Sequence, residues 1–286
     1  MKRFALIGKP VAHSLSPVLH AYLLKKLDEA GRYERHEVNE AALARTISTF
    51  KRNGFVGFNV TIPHKRTVID FLTHLDRQAG RIGAVNTVRI VGNELYGYNT
   101  DGVGFIKSLS YNGVRVCGTQ ALLLGAGGAA RAIAYTLLSH DLSGLYIANR
   151  TVGRGEMFVR ELQESFPLKK IQFKECTPES LSECAQGCQL VVNATPVGMW
   201  PDVETPPFNL HFEASGRVVS DLIYNPLRTK FLDDAARRGA VTIDGLDMFI
   251  FQAIESLRIW LGREVEVDVF ELRNFLIAEL SQYEKY

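Results

Sequence analysis

At 286 residues the chain is long enough for one large domain or two ordinary ones. Hydrophobic residues make up 46% and charged residues 22%, which excludes a disordered or fibrous chain and allows a substantial core. The net charge is +2 and no Lys/Arg block stands out, so no nucleic-acid footprint is expected and any positive patch should be local, serving a small anion.

Cys117, Cys176, Cys184 and Cys188 form no C-x-x-C pair, and no histidine lies near the closest two. No metal site is expected, and the thiols read as ordinary ones in a reducing cytoplasm. The apolar run after Lys2 and Arg3 ends at Gly8, too short for a signal peptide, and no stretch of about 18 apolar residues follows. The expectation is a cytoplasmic protein with no membrane partner, a monomer or homodimer acting on a small molecule.

In chain order, Phe4 to Ile7 reads as a buried strand. Pro17 to Leu27 reads as a helix with Ser16 as N-cap and Pro17 at the first helical position. Phe55 to Ile62 is strand-like and is stopped by Pro63. Val85 to Val91 and Leu95 to Tyr98 flank Gly92-Asn93, a hairpin signal. A new unit begins after Asp101, with a helix over Gly102 to Tyr111 and a turn at Asn112-Gly113. The strand Gln120 to Leu124 then runs into a glycine-rich loop and a helix to about Leu138. Further strands fit Leu145 to Ala148, Gln189 to Asn193, Val218 to Leu222 and Val241 to Ile243. From Leu246 the pattern is helical to the end, with a break near Gly262 to Asp268. Strands alternating with helices imply an α/β fold with a parallel sheet covered on both faces.

The loop Gly125-Ala126-Gly127-Gly128-Ala129-Ala130 fits the G-x-G-x-x-G/A dinucleotide fingerprint. Gly125 permits the tight turn, Gly127 lets backbone approach a pyrophosphate, and Ala130 lets helix and strand pack closely. The free N–H groups and dipole at the helix start would hold the anion. An acid about 20 residues on usually accepts the ribose hydroxyls of NAD. Here the matching stretch is Asn149, Arg150 and Thr151, followed by Arg154. With no carboxylate to repel a 2′-phosphate and two guanidinium groups to bind it, the expected cofactor is NADP.

Polar blocks stand at strand ends and turns: Ser14-Leu15-Ser16-Pro17, Asn59 to Lys65, Ala84 to Thr87, Tyr98 to Gly102, and Asn193 to Met199. With the glycine loop, Asn149-Arg150-Thr151, Asp244-Gly245 and Gln252, they resemble the shikimate dehydrogenase family over nearly the whole chain. The resemblance implies two domains with a cleft active site. One is an α/β substrate domain over 1–101 and 246–286, and the other a Rossmann-type NADP-binding domain over 102–245. It also implies the reversible, NADP-dependent reduction of 3-dehydroshikimate to shikimate, on the route through chorismate to the aromatic amino acids.

Site roles follow from that resemblance. Ser14 and Ser16 would bind the substrate carboxylate, and two hydroxyls at a helix start suit an anion. Lys65 is the implied catalytic lysine, paired with Asp101. It would either take the hydroxyl proton or stay charged and polarise the oxygen. Asn59, Thr61, Asn86 and Gln252 would meet the ring hydroxyls, since amides offer both donors and acceptors. Tyr224, Gly245 and Met248 are implied as cleft residues near the nicotinamide, Tyr224 on the substrate side, and Thr195 as a cofactor-binding residue. Met199 and Met248 equally fit as core fillers, and His64 reads as local structure. A quinate-preferring or dual-specificity relative and a non-catalytic NADP-sensing relative remain alternatives. The paired serines, with no acid after the second strand, argue against the first, and Lys65 with Asp101 argues against the second.

Overall fold

The computed structural model describes residues 1–283 and divides into two compact units, Met1–Gly104 with the segment from Ile250 onward, and Phe105–Phe249.

In the first unit the apolar run at residues 4–7 forms the buried part of β1 (Lys2–Gly8). It is followed by α1 (Ser16–Lys26), β2 (Gly31–Glu37), α2 (Leu43–Arg52) and β3 (Phe55–Val60). Next come β4 (His74–Leu75), α3 (Arg77–Ile82), β5 (Thr87–Val91) and β6 (Glu94–Tyr98). The sheet order is β2-β1-β3-β5-β6-β4. Strands β1, β2 and β3 run parallel, while β3, β5 and β6 are antiparallel neighbours, so this sheet is mixed. Register puts Leu6 beside Asn59, Asn59 beside Thr87 and Thr87 beside Tyr98, a row that carries polar side chains into the interior. The core beneath joins Ile7, Phe58, Val60 and Val88 to Leu43, Ile47 and Phe50. Those last three recur at helical spacing on α2 and bury one face of it. Each such side chain is worth roughly 1.5–3 kcal/mol when fully buried.

Ser16 is not the N-cap expected from the sequence. It is the first residue of α1, and Leu15 precedes it without a side-chain cap. The Ser14 hydroxyl accepts the Ser16 N–H at 3.2 Å, so the acceptor is supplied two residues upstream and the helix starts earlier.

The second unit follows the start of α4 (Asp101–Tyr111) and alternates strand with helix except between its fourth and fifth strands, which a long loop joins. Its elements are β7 (Gln120–Leu124), α5 (Gly128–Ser139), β8 (Gly144–Ala148), α6 (Val152–Ser165), β9 (Lys170–Lys174), α7 (Pro178–Gln186), β10 (Leu190–Asn193), β11 (Val218–Asp221), α8 (Lys230–Arg237) and β12 (Val241–Ile243). The sheet is parallel throughout, in the order β12-β11-β10-β7-β8-β9. Numbered within the unit this is the doubly wound 3-2-1-4-5-6 arrangement, with its switch point between β7 and β10. Helix α5 is buried from Ala130 to Leu138, Arg131 included. The Arg131 guanidinium lies over Phe158 and pairs with Glu161, tying α5 to α6.

Helices α9 (Leu246–Leu261) and α10 (Val269–Tyr283) close the chain. Trp260 of α9 stacks on Phe4 with centroids 4.9 Å apart and donates its indole N–H to Val88 O at 2.9 Å. No helix among the described residues is long and apolar enough to cross a membrane.

His20 on α1 is fully buried and stacked on Tyr33 at 4.0 Å. Its Nδ1 meets Ser16 O at 2.8 Å, and its Nε2 has no partner. Desolvation therefore lowers its pKa from 6.5 to about 4, against the raising effect of the Ser16 carbonyl. The unfolded chain thus takes up a proton near pH 6.5 that the folded chain refuses until about pH 4. The contribution to stability is complete above pH 6.5 and is lost as pH falls through that window. Between pH 7 and pH 4.5 the parent should lose about 2 kcal/mol more unfolding free energy than His20→Phe. Urea titrations at the two pH values measure this, and equal losses would contradict it.

Candidate active site

In the first unit the turn after β3 carries Lys65, and the start of α4 carries Asp101. The Val85 N–H donates to Lys65 O at 2.7 Å, fixing the backbone beneath the lysine. Lys65 Nζ donates to Asp101 Oδ2 at 2.6 Å, and the side chains are only 15% and 7% exposed. Asp101 is held from several directions. Its backbone N–H donates to Asn99 Oδ1 at 3.1 Å, and Asn99 Nδ2 donates to Ala84 O at 2.9 Å. Its Oδ1 accepts from Asn86 Nδ2 at 2.8 Å. The ammonium and carboxylate have surrendered most of their water, and each supplies what the other lacks.

Asn86 is engaged on every side. Besides Asp101 it donates to Thr100 Oγ1 at 2.8 Å, and its Oδ1 accepts from Thr100 N at 2.8 Å and from Thr87 Oγ1 at 2.9 Å. Asn59 is equally committed, with Tyr33 OH donating to its Oδ1 at 2.8 Å and its Nδ2 reaching Asn86 O, Thr87 Oγ1 and Ser256 Oγ at 3.0–3.1 Å. Both amides are buried, and of the two Asn86 alone reaches the dyad, through Asp101 Oδ1. Thr61 stays half-exposed. Gln252 is half-exposed on α9, with its carbonyl accepting from Ser256 Oγ at 2.9 Å.

Ser14 and Ser16 stand together, their hydroxyls 3.1 Å apart. Arg35, which sequence reasoning missed, donates to Ala12 O and to Ser14 O, so a cation braces the turn that presents the serines. Arg35 sits on the polar strand β2, which had no apolar alternation to reveal it. His64 is fully buried with Nε2 on Val38 O at 2.7 Å, a local brace for the turn before Lys65.

The second unit gathers the remaining candidates at the carboxyl ends of its strands. Gly125 adopts φ +112°, and a Cβ there would meet Ala194 O at 3.1 Å, so the ends of β7 and β10 approach closely. A Cβ on Gly127 would meet nothing within 4 Å, and no side chain caps α5. The helix therefore presents N–H groups toward open space, the geometry an anion requires. Among the half-exposed positions there are Gly128 and Ala129, while Ala126 and Ala130 are buried. At the end of β8, Asn149 Nδ2 donates to Thr151 O at 2.9 Å. Thr151 is the N-cap residue of α6 yet makes no side-chain cap bond, leaving a second open helix start. Arg150, Thr151 and Arg154 are exposed around it. These two helix starts and two guanidinium groups suit the pyrophosphate and 2′-phosphate of a dinucleotide.

Asn193 organises the next loop. Its Oδ1 accepts from Thr195 N at 3.0 Å and Thr195 Oγ1 at 2.7 Å, and its Nδ2 donates to Val197 O and to Asp221 Oδ1, each at 3.1 Å. Asp221 is fully buried and also accepts from Ile223 N and Thr229 Oγ1. Desolvation raises its pKa to about 6 despite those hydrogen bonds. Tyr224 stacks on Phe249 at 4.6 Å. Gly245 has no room for a side chain, since a Cβ would lie 2.1 Å from Leu222 O. Met248 lies in the apolar core of this unit at 8% exposure, and Met199 is exposed. Among the described residues no cluster of three His, Cys, Asp or Glu side chains is arranged to hold a metal, and all four cysteines are free thiols.

Comparison with known proteins places this geometry. Residues 6–88 match the shikimate dehydrogenase substrate binding domain, 110–197 the shikimate/quinate 5-dehydrogenase family, and 245–271 the shikimate 5′-dehydrogenase C-terminal domain. A shikimate dehydrogenase (NADP+) of Moorella thermoacetica is 41% identical over 93% of this chain and 90% of its own. The enzyme of that name from Bacillus subtilis is 37% identical over 98% of both. The crystal structure of shikimate 5-dehydrogenase from Thermus thermophilus, in complex with NADP(H) and shikimate, superposes with a TM-score of 0.84. It is 35% identical, and the match covers 96% of this chain and 98% of that one. Identity at this level along almost the full length, on a mixed sheet followed by a doubly wound parallel one, leads to one conclusion: the chain belongs to the shikimate dehydrogenase family.

Proposed function

We propose that the chain is an NADP-dependent shikimate dehydrogenase, oxidising shikimate to 3-dehydroshikimate and catalysing the reverse reduction. The observation that carries the reading is the Lys65–Asp101 pair, an ammonium held 2.6 Å from a buried carboxylate. NADP, when bound, supplies the acceptor or donor of hydride. Helix starts α5 and α6 would hold its phosphates, with Gly127 allowing backbone approach and Arg150, Thr151 and Arg154 receiving the 2′-phosphate.

The residues of the chain supply the proton chemistry and the binding. In the reductive direction Lys65 Nζ gives a proton to the oxygen on which negative charge develops. In the oxidative direction the lysine enters as the neutral amine, its ammonium having first given a proton to solvent, and receives the hydroxyl proton as hydride leaves carbon. Asp101 holds the nitrogen in place, so its orientation does not have to be reached at each turnover. Ser14 and Ser16 anchor the substrate carboxylate through their paired hydroxyls, with the Arg35 guanidinium close behind that turn. Thr61, Gln252 and Tyr224 offer hydroxyl and amide partners to the ring. Four free thiols fit an enzyme at work in a reducing cytoplasm.

The reading is tested by NADPH formation with shikimate and with quinate, each repeated with NAD+. Turnover should be highest with shikimate and NADP+, and preference for quinate or NAD+ would overturn the reading. Lys65→Ala should lower turnover by about 10²–10⁴ while the protein stays folded. Near-parental turnover in a folded variant would contradict the role. Arg150→Ala should weaken NADP+ binding by about ten- to a hundredfold and leave NAD+ almost unaffected. Measured at fixed ionic strength, an unchanged NADP+/NAD+ efficiency ratio would move the phosphate site elsewhere.

A further inference from the structure

Behind the Lys65–Asp101 pair lies a set of buried hydroxyls and amides that touch neither charged group except through Asn86. Thr87 is fully buried and Ser256 likewise. Their hydroxyls are 2.9 Å apart, and the Thr100 hydroxyl is 3.3 Å from each. The direction of donation can be followed atom by atom. Tyr33 OH donates to Asn59 Oδ1 at 2.8 Å, which turns the Asn59 NH₂ group toward Thr87 and Ser256. Thr87 Oγ1, receiving from Asn59 at 3.1 Å, donates onward to Asn86 Oδ1 at 2.9 Å. The Thr100 backbone N–H, which can only donate, reaches the same Asn86 atom at 2.8 Å and marks it as oxygen, so the NH₂ end faces Asp101 Oδ1 at 2.8 Å. Four consecutive donors, Tyr33, Asn59, Thr87 and Asn86, therefore point along one path that ends on the carboxylate.

From this arrangement we infer that Thr87, backed by Asn59 and Ser256, is a positioning residue for the dyad. It acts through Asn86 and keeps the Asp101 carboxylate oriented so that Oδ2 holds Lys65 Nζ. Donors aligned in one direction polarise one another and favour a charged acceptor at the end of the path. Three elements converge on it: the β5 strand brings Thr87, the β3 strand brings Asn59, and α9 brings Ser256. Ser256 lies one helical turn beyond Gln252. Its own proton has an acceptor in Gln252 O at 2.9 Å, which leaves its oxygen to receive from Asn59 Nδ2. The path thereby links the packing of α9 to the orientation of the reacting lysine.

The inference rests on the proposed function, and the experiment separates the two. Parent, Thr87→Val and Thr87→Ser are assayed for shikimate oxidation with NADP+, with melting temperatures recorded alongside. Val keeps the branched shape but cannot donate, while Ser restores the donor. Thr87→Val should lower kcat by about 10- to 100-fold, as expected for a misplaced catalytic group. KM for NADP+ should be unchanged, and Thr87→Ser should recover most of the lost rate. An active parent with equally active Thr87→Val overturns the inference alone, as does a serine variant no better than valine. An inactive parent overturns the functional reading and the inference with it. If Thr87→Val does not fold, Ser256→Ala is read by the same split: a lower kcat with unchanged KM for NADP+ supports the inference, and an unchanged kcat overturns it.

Discussion

An ammonium and a carboxylate that have both lost most of their water constrain everything around them in the first unit. Lys65 and Asp101 pair at 2.6 Å, and removing either leaves a poorly solvated charge behind. Such a pair is tolerated only where the remaining lone pairs are satisfied. The fold meets that demand with Asn86 on the second carboxylate oxygen, Asn99 on the backbone N–H and Ala84 O on Asn99 in turn. The mixed sheet makes this possible. Its register sets Asn59 of β3 next to Thr87 of β5, and Tyr33 of β2 reaches Asn59, so polar side chains from three strands meet inside the unit.

The second unit solves a different problem. A dinucleotide brings its own charges, so the protein must leave donors open rather than satisfy them. Helices α5 and α6 both begin without side-chain caps. The surrounding backbone is packed tightly, Gly125 against Ala194 and Gly245 against Leu222 O. Asn193 and Asp221 tie the loops that follow β10 and β11 to one another. Hydrogen-bonded loops and open helix starts together suit an anion.

Much of this was legible in the sequence, and the omissions have physical reasons. Strands β1, β3, β7, β8, β10 and β11 are interior and apolar, so composition alone marks them. Strands β2, β4 and β9 escaped notice: all three are edge strands, and β2 and β9 are dominated by charged and polar residues, whereas the edge strand β12 showed itself by its short β-branched run. The helix-start rule misplaced the cap of α1, since Ser14 reaches the Ser16 N–H from two residues upstream. The lysine–aspartate pair could be named from its motif, but its supporting hydroxyls could not. Thr87 reads as an ordinary strand threonine, and Ser256 as a helix serine whose one clue is its spacing from Gln252. The hydrogen-bond partners of Asn59 and Asn86 within the fold were not legible either. An amide suited to a ring hydroxyl is equally suited to a carboxylate or a threonine, and only the three-dimensional neighbours decide.

The claim that Lys65 and Asp101 act as one unit on a substrate hydroxyl is tested most directly by a double-mutant cycle on shikimate turnover. Lys65→Met, Asp101→Asn and the double variant would be measured with saturating NADP+. If the two groups form one proton-handling pair, their effects are strongly non-additive, and the double variant is about as slow as the slower single one. Effects that multiply, each loss adding its full factor to the other, would show that the residues act independently and would contradict the account.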